Sequence, residues 1–454
     1  MGISKDILSS TDLESLTKKI VGFSKSEWCE VSVNSAQTAN LRYAANTVTT
    51  SGSHVNTSVH ITCASGKKAG SVSTNDLSDD GLKRAVARAE EIAKLAPDNE
   101  ELMPPLADKP KYIRSGQFDF SSADAEYTAN ERARIADQAI KEAKARELIA
   151  AGFLESMTGR TAFRNSKGVF ATDQKTRTTF STTVRKEDGS SSGWSKRASH
   201  AIARLESNTA INRAVEKCVA WDSAKEYDPG VYKAILEPSA TADMMQQLVG
   251  ALDAREAEEG RSAFSRAGGK TAMGEQLLSD TLHLYSDPNH PIVPASIYGE
   301  SGQATGQVDW FTGGKLTNFT RSRYWAQKTG AQPQPGPTNL ILESNGTMLP
   351  EDYLTQIKEG FLITSFWYIR DLDNHTLLKT GLTRDGLFFV EDGKIKHGVL
   401  NFRWNESPLA VFKNVIGASK PVATAPRDGD DTMPMLAPLL YVSGFNFASI
   451  SDAV

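Results

Sequence analysis

Residues 366–408 read FWYIRDLDNHTLLKTGLTRDGLFFVEDGKIKHGVLNFRWNESP. The apolar runs in this stretch have the length of strands: Phe366–Arg370, Gly386–Glu391 and Gly398–Arg403. Between the last two, Glu391-Asp392-Gly393-Lys394 is a hairpin signal, because Asp-Gly readily supplies the positive φ of a tight turn. The stretch therefore predicts an antiparallel meander. It also sets Arg, Asn and Glu beside Trp at a density that purely structural strands rarely need.

Upstream, Tyr227-Asp228-Pro229-Gly230 is the strongest boundary signal in the chain. A strand at Val231–Leu236 and a helix from about Thr241 to Glu258 are expected after it, then β-rich, turn-rich sequence to the end. Before it, Thr11-Asp12-Leu13-Glu14 has the pattern of a capping box and predicts a helix to about Phe23. Alternating residues predict strands at Glu30–Val33, Asn40–Tyr43 and Val55–Cys63. Ser78 is expected to cap a helix ending near Ala96, and a longer helix is expected from Ala125 to Glu147. Separate strands are expected at Ile149–Thr158, Ala162–Asn165 and Arg177–Arg185. Residues 97–118 and 420–436 look like loops. A chain of 454 residues is too long for one ordinary core. The expected class is α+β, with an N-terminal α+β domain over residues 1–228. A β-rich domain, an antiparallel sheet closing like a barrel, is expected over residues 229–454.

Composition narrows the function. A net charge of −4 opposes general nucleic-acid binding, which runs on excess Lys and Arg. No apolar run approaches the roughly 20 residues that cross a bilayer, and Met1–Glu14 lacks an apolar signal core. Cys29, Cys63 and Cys218 are odd in number and widely spaced, which suits small buried residues in a reducing cytoplasm.

The candidate chemistry is recognition. Trp367, Tyr368, Phe402 and Trp404 offer apolar contact. Arg370, Arg384 and Arg403 can each take a carboxylate bidentately, and Asn401 and Asn405 can pair with peptide amides. A strand edge beside them would suit addition of an extended peptide. The other reading stays open: the aromatics fill the core, and Arg370–Asp371 and Arg384–Asp385 pair to fix loops. Asp428, Asp430 and Asp431 crowd one loop, a pattern that fits a solvated turn better than a calcium site. The serine run Ser190–Ser192, flanked by Gly189 and Gly193, reads as a hairpin tip, and there is no phosphate loop.

The block 366–408 resembles the C-terminal part of the TldD/PmbA family, historically called modulators of DNA gyrase and known as zinc-peptidase subunits. Leu41-Arg42-Tyr43-Ala44-Ala45-Asn46-Thr47-Val48-Thr49, Tyr232 to Pro238, Gly314-Lys315-Leu316 and Leu342 to Gly360 extend the resemblance along the chain. The resemblance implies that Arg42 and Asn46 lie near the cleft as secondary candidates. In the family's catalytic branch, a His-Glu-x-x-x-His motif follows the strand at this point. Here Gln246, Gln247 and Ala251 stand in those places, and no Cys follows Cys218. The resemblance is thus to the TldE/PmbA branch. It implies no cofactor and no catalytic residue in this chain, with zinc in a TldD-type partner subunit and small unstructured peptides as substrates. The alternative is a stand-alone peptide-binding or scaffold homodimer without peptidase activity. The stretch Thr376 to Gly386 departs from the family pattern and suggests a distinct sub-branch.

Overall fold

The first half rests on long strands whose inward positions alternate. The computed structural model describes residues 6–114, 129–221, 224–428 and 432–451. Strands β1 (Trp28–Ala44), β2 (Thr47–Ser65), β3 (Lys68–Thr74), β4 (Ile149–Asn165), β5 (Phe170–Arg185) and β6 (Ser192–Ser199) form one sheet in the order β3-β2-β1-β4-β5-β6. Successive side chains of a strand point to opposite faces, so Val31, Val33, Leu41 and Tyr43 of β1 share one face. Helices α1 (Ser10–Phe23) and α2 (Asp79–Leu95) cover one end of it through Leu13, Ile20, Leu82 and Val86. Helices α3 (Ala129–Lys144) and α4 (Ser207–Ala220) cover the other through Ile135, Ala139, Ile211 and Ala214. All three cysteines are buried thiols.

Local signals shift slightly. The box that starts α1 is Ser9 with Asp12, not Thr11 with Glu14: Ser9 Oγ accepts the Asp12 N–H, and the Asp12 carboxylate accepts the Ser9 N–H, both at 3.1 Å. The two strands expected between Ile149 and Asn165 are one, because β1 pairs with β4 without interruption. The start expected at Ala125 for the third helix lies outside the described residues.

The second half opens with β7 (Gly230–Leu236), α5 (Pro238–Gly250) and α6 (Ala254–Glu258). The single helix expected to Glu258 breaks after Gly250, and Asp253 caps α6 by accepting the Glu256 N–H. A short hairpin, β8 (Ser265–Arg266) and β9 (Lys270–Thr271), precedes β10 (His283–Ser286), β11 (Val308–Thr312), β12 (Lys315–Leu316) and β13 (Leu340–Glu343). Then come β14 (Glu359–Asp373), β15 (Leu378–Glu391), β16 (Lys394–Val399), β17 (Phe402–Glu406), β18 (Val415–Ala418), β19 (Val422–Thr424), β20 (Met435–Ala437) and β21 (Leu440–Ile450). One sheet runs β12-β11-β10-β13-β20-β19, so part of the loop expected at 420–436 is strand. The other runs β14-β7-β21-β17-β15 and closes, because β15 returns to pair with β14. The fold is α+β with a closed, barrel-like C-terminal sheet.

Aromatic rings fill the barrel. Phe366 lies 4.9 Å from Trp404 and 5.7 Å from Phe445 between ring centres, and Phe402, Phe445 and Phe447 continue the stack. The Asp-Gly hairpin forms as expected, with Asp392 at φ 48°, Gly393 at φ 72° and Glu391 opposite Lys394. The expected strand Gly398–Arg403 splits at Leu400-Asn401. Its two parts, β16 and β17, both pair with β15 rather than with each other. Among the described residues, no helix is long and apolar enough to cross a membrane.

Candidate functional site

Helix α5 follows β7 directly, with Pro238 at its first turn, where a missing N–H costs nothing. Its face toward the barrel is apolar: Met244, Met245, Leu248 and Val249 are buried. Gln246 and Gln247 are half-buried, and Ala251 is the C-cap. Two amides and a methyl group do not supply the imidazole, carboxylate or thiolate donors that hold zinc. Among the described residues, no three His, Cys, Asp or Glu side chains converge as a metal site. These positions therefore do not fit the ion.

The polar residue that organises this region is Asp243, one turn before Gln246. It is buried at 1% exposure. Its Oδ1 accepts the N–H groups of Arg427 and Asp428, each at 3.1 Å. Burial pushes its carboxyl up to about 7, against the pull of those hydrogen bonds. The Asp428 carboxylate in turn accepts the Ile369 N–H at 2.7 Å. These contacts fasten the segment before residue 429 between α5 and β14. Asp430 and Asp431, the rest of that acidic loop, lie outside the described residues.

Anchored in this way, Arg427 stands between two indoles. Its guanidinium lies 4.9 Å from the ring centre of Trp194 on β6 and 5.6 Å from that of Trp367 on β14. It forms an ion pair with Asp385. Burial pulls its pKa below the usual arginine value, while Asp385 works the other way. Arg384 lies over the same Trp367 ring at 5.2 Å. The result is an alternating row, Trp194–Arg427–Trp367–Arg384, of the kind cation–π attraction favours. Next to it, Tyr368 has φ 58° and is 52% exposed, while Trp367 is 39% exposed. A register shift between Trp367 and Arg370 marks this bulge. Arg370 folds back over the Tyr368 ring at 4.0 Å and donates to the Ile369 carbonyl at 2.6 Å.

The sequence candidates divide accordingly. Trp367, Tyr368, Arg370 and Arg384 come together on the outside of the barrel. Trp367 faces Leu382, and Leu382 faces Arg403, so exposed Arg403 continues this cross-strand row and bonds Thr380 Oγ1 at 3.3 Å. Asn405 is half-buried on β17, with its carbonyl bonded by Asn446. Asn401 is buried, and its side-chain oxygen accepts from Thr383 at 2.9 Å, so it braces the barrel wall rather than joining the surface. Phe402 and Trp404 are fully buried core. Arg42 and Asn46 belong to the β1–β2 hairpin. Asn46 bonds Leu148 and Ala150 within the first sheet.

The expected neighbour pairs are not the ones formed. Asp385 pairs with Arg427 rather than Arg384, and Asp371 pairs with Lys379 rather than Arg370. Sequence reading missed Asp243, Trp194 and Arg427. A signal existed for Asp243 alone, a carboxylate beside the buried Met244 and Met245 of α5.

Comparison with known proteins places these features in context. Three family profiles match in succession. The PmbA/TldA metallopeptidase domain 1 matches residues 29–93, its central domain residues 106–220 and its C-terminal domain residues 229–449. No curated protein matches. Among solved structures, TldE from Thermococcus kodakarensis is similar at TM-score 0.80 and 17% identity, over 96% of this chain and 99% of that one. A protein described as a modulator of DNA gyrase from Bacteroides thetaiotaomicron is similar at TM-score 0.81 and 17% identity, over 98% and 100%. Another so described, from Thermotoga maritima, is similar at TM-score 0.76 and 17% identity, over 95% and 99%. At that identity the likeness is one of fold.

Proposed function

The chain belongs to the PmbA/TldA metallopeptidase family, and on that premise we propose that it is the metal-free subunit of a two-subunit peptidase. The observation that carries this reading is helix α5. Gln246, Gln247 and Ala251 occupy the places of the catalytic branch's His, Glu and His, and the helix packs as barrel core. The partner would be a TldD-type subunit whose His-Glu-x-x-x-His motif would hold zinc, an ion that would supply Lewis-acid chemistry at the peptide bond and an activated water. This chain supplies a rigid barrel and an outer surface, around Trp367, that contacts small unstructured peptides. Buried thiols fit a reducing, cytoplasmic setting.

The test is affinity purification of the tagged chain from its native cell, with subunit identification and metal analysis. A second subunit bearing His-Glu-x-x-x-His, with about one zinc per pair, is the expected result. A metal-free self-dimer with no such partner overturns the proposal in favour of a stand-alone binding protein. Zinc bound to this chain by itself overturns it in favour of independent catalysis.

A further inference from the structure

We propose that Arg384 is a carboxylate-binding residue, and that the anion it takes belongs to a short extended peptide lying across Trp367. This rests on the peptide-handling reading given above and deepens it. The argument begins with charge pairing in the row Trp194–Arg427–Trp367–Arg384. Each carboxylate around the row is already engaged: Asp385 by Arg427, Asp428 by the Ile369 N–H, and Asp243 by two loop amides. Arg384 is different. Among the described residues its guanidinium has no ion pair, whereas Arg427 has Asp385. A partly buried cation without a counter-charge gains from an anion brought beside it.

The geometry selects the acceptor. The Arg384 guanidinium lies over the indole at 5.2 Å from its centre, and the N–H groups along a guanidinium edge match the two oxygens of a carboxylate. Trp367 holds Arg384 by its face while leaving 39% of itself exposed. An apolar side chain next to the anion can therefore rest on the same indole. Arg427, on the other side of the ring, adds positive charge at short range but is already neutralised by Asp385. The site therefore takes one anion. A peptide can offer that anion from its C-terminus or from an Asp or Glu side chain.

The experiment uses the full chain and three probes, followed by calorimetry and by indole fluorescence. They are acetyl-Ala-Ala-Ala-Phe as the free acid, the same peptide as its C-terminal amide, and acetyl-Ala-Asp-Ala-Phe-amide. At least one carboxylate-bearing peptide is expected to bind about tenfold or more tighter than the neutral amide. Which one does so identifies the source of the anion. Arg384→Gln is expected to reduce that affinity to the level of the neutral amide, and Arg384→Lys to restore part of it. Arg88→Gln, on the exposed side of α2, removes the same charge elsewhere and should change nothing. Matching melting curves for the Arg384 variants and the parent establish that the fold is intact. Equal binding of all three peptides overturns the inference, as does undiminished binding by Arg384→Gln or no binding to the parent chain. None of these outcomes depends on the recovery of a zinc-bearing partner, so the two proposals fail separately.

Discussion

Asp243 shows how one residue can set the geometry of the site at a cost to stability. Its carboxyl is held in the core with two backbone donors on Oδ1 and none on Oδ2. Burial raises its folded pKa to about 7, whereas an exposed aspartate titrates near about 4. Between those two values the folded chain binds more protons than the unfolded one, so stability falls as pH rises through this window and levels off above it. Asp243→Asn keeps the acceptor and removes the titration. Its advantage over the parent should grow between pH 5 and 7, to on the order of 2–4 kcal/mol, and then stay constant. Urea melts of both proteins across that range measure it, and parallel pH profiles would show that Asp243 is already ionised in the fold. Arg384 sits at the same scale, since its candidacy depends on the absence of one ion pair.

At the scale of elements, the β15–β16 hairpin is both the clearest sequence signal and a close contact. Gly393 has φ 72°, and a Cβ there would meet the Thr355 carbonyl oxygen at 2.2 Å. Gly189, at the turn between β5 and β6, has φ 74° with nothing within 4 Å. The pair separates backbone strain from collision. Gly189→Ala should cost about 1 kcal/mol, the penalty of the left-handed conformation alone. Gly393→Ala should cost at least about twice that, because Thr355 is held by the chain. Denaturant midpoints at constant slope give both values. Equal losses would mean that the carbonyl of Thr355 moves aside freely.

At the scale of the molecule, the two halves are joined by buried charge. Glu237, between β7 and α5, accepts from Arg213 at 2.9 Å and pairs with Lys217, both on α4. Lys217 is fully buried, and desolvation pulls its pKa down to about 8 although Glu237 opposes the shift. Glu237→Gln would leave Lys217 in the core without a counter-charge and Arg213 with only Glu216, at 2.8 Å. A loss of about 3–5 kcal/mol is expected, read as a fall in unfolding free energy. A loss within about 1 kcal/mol would place these cations in water rather than in the core. Lys217→Met should cost less than Glu237→Gln, because it removes a buried charge instead of orphaning one.

The sequence by itself determined the class of the fold, the inward faces of the long strands, the Asp-Gly hairpin and the lack of zinc donors at positions 246, 247 and 251. Each of these follows from short-range physics: a period of two in strands, a turn that needs positive φ, and side chains that lack the required donor atoms. It did not determine the closure of the barrel, in which β15 returns to β14 and β7 enters as a parallel strand. Nor did it determine which aromatics face out. Trp367 and Trp404 occupy similar surroundings in the chain, yet Trp404 fills the barrel while Trp367, next to buried Phe366, faces outward, and the bulge after it exposes Tyr368 on the same side. Ion pairs were the least legible feature. Asp385 is next to Arg384 in sequence but bonds Arg427, with its own backbone in the left-handed region at φ 55°, a conformation that strand alternation does not anticipate. Only a closed sheet with a loop pinned by Asp243 brings Arg427 within reach, and that closure leaves Arg384 without an ion pair among the described residues.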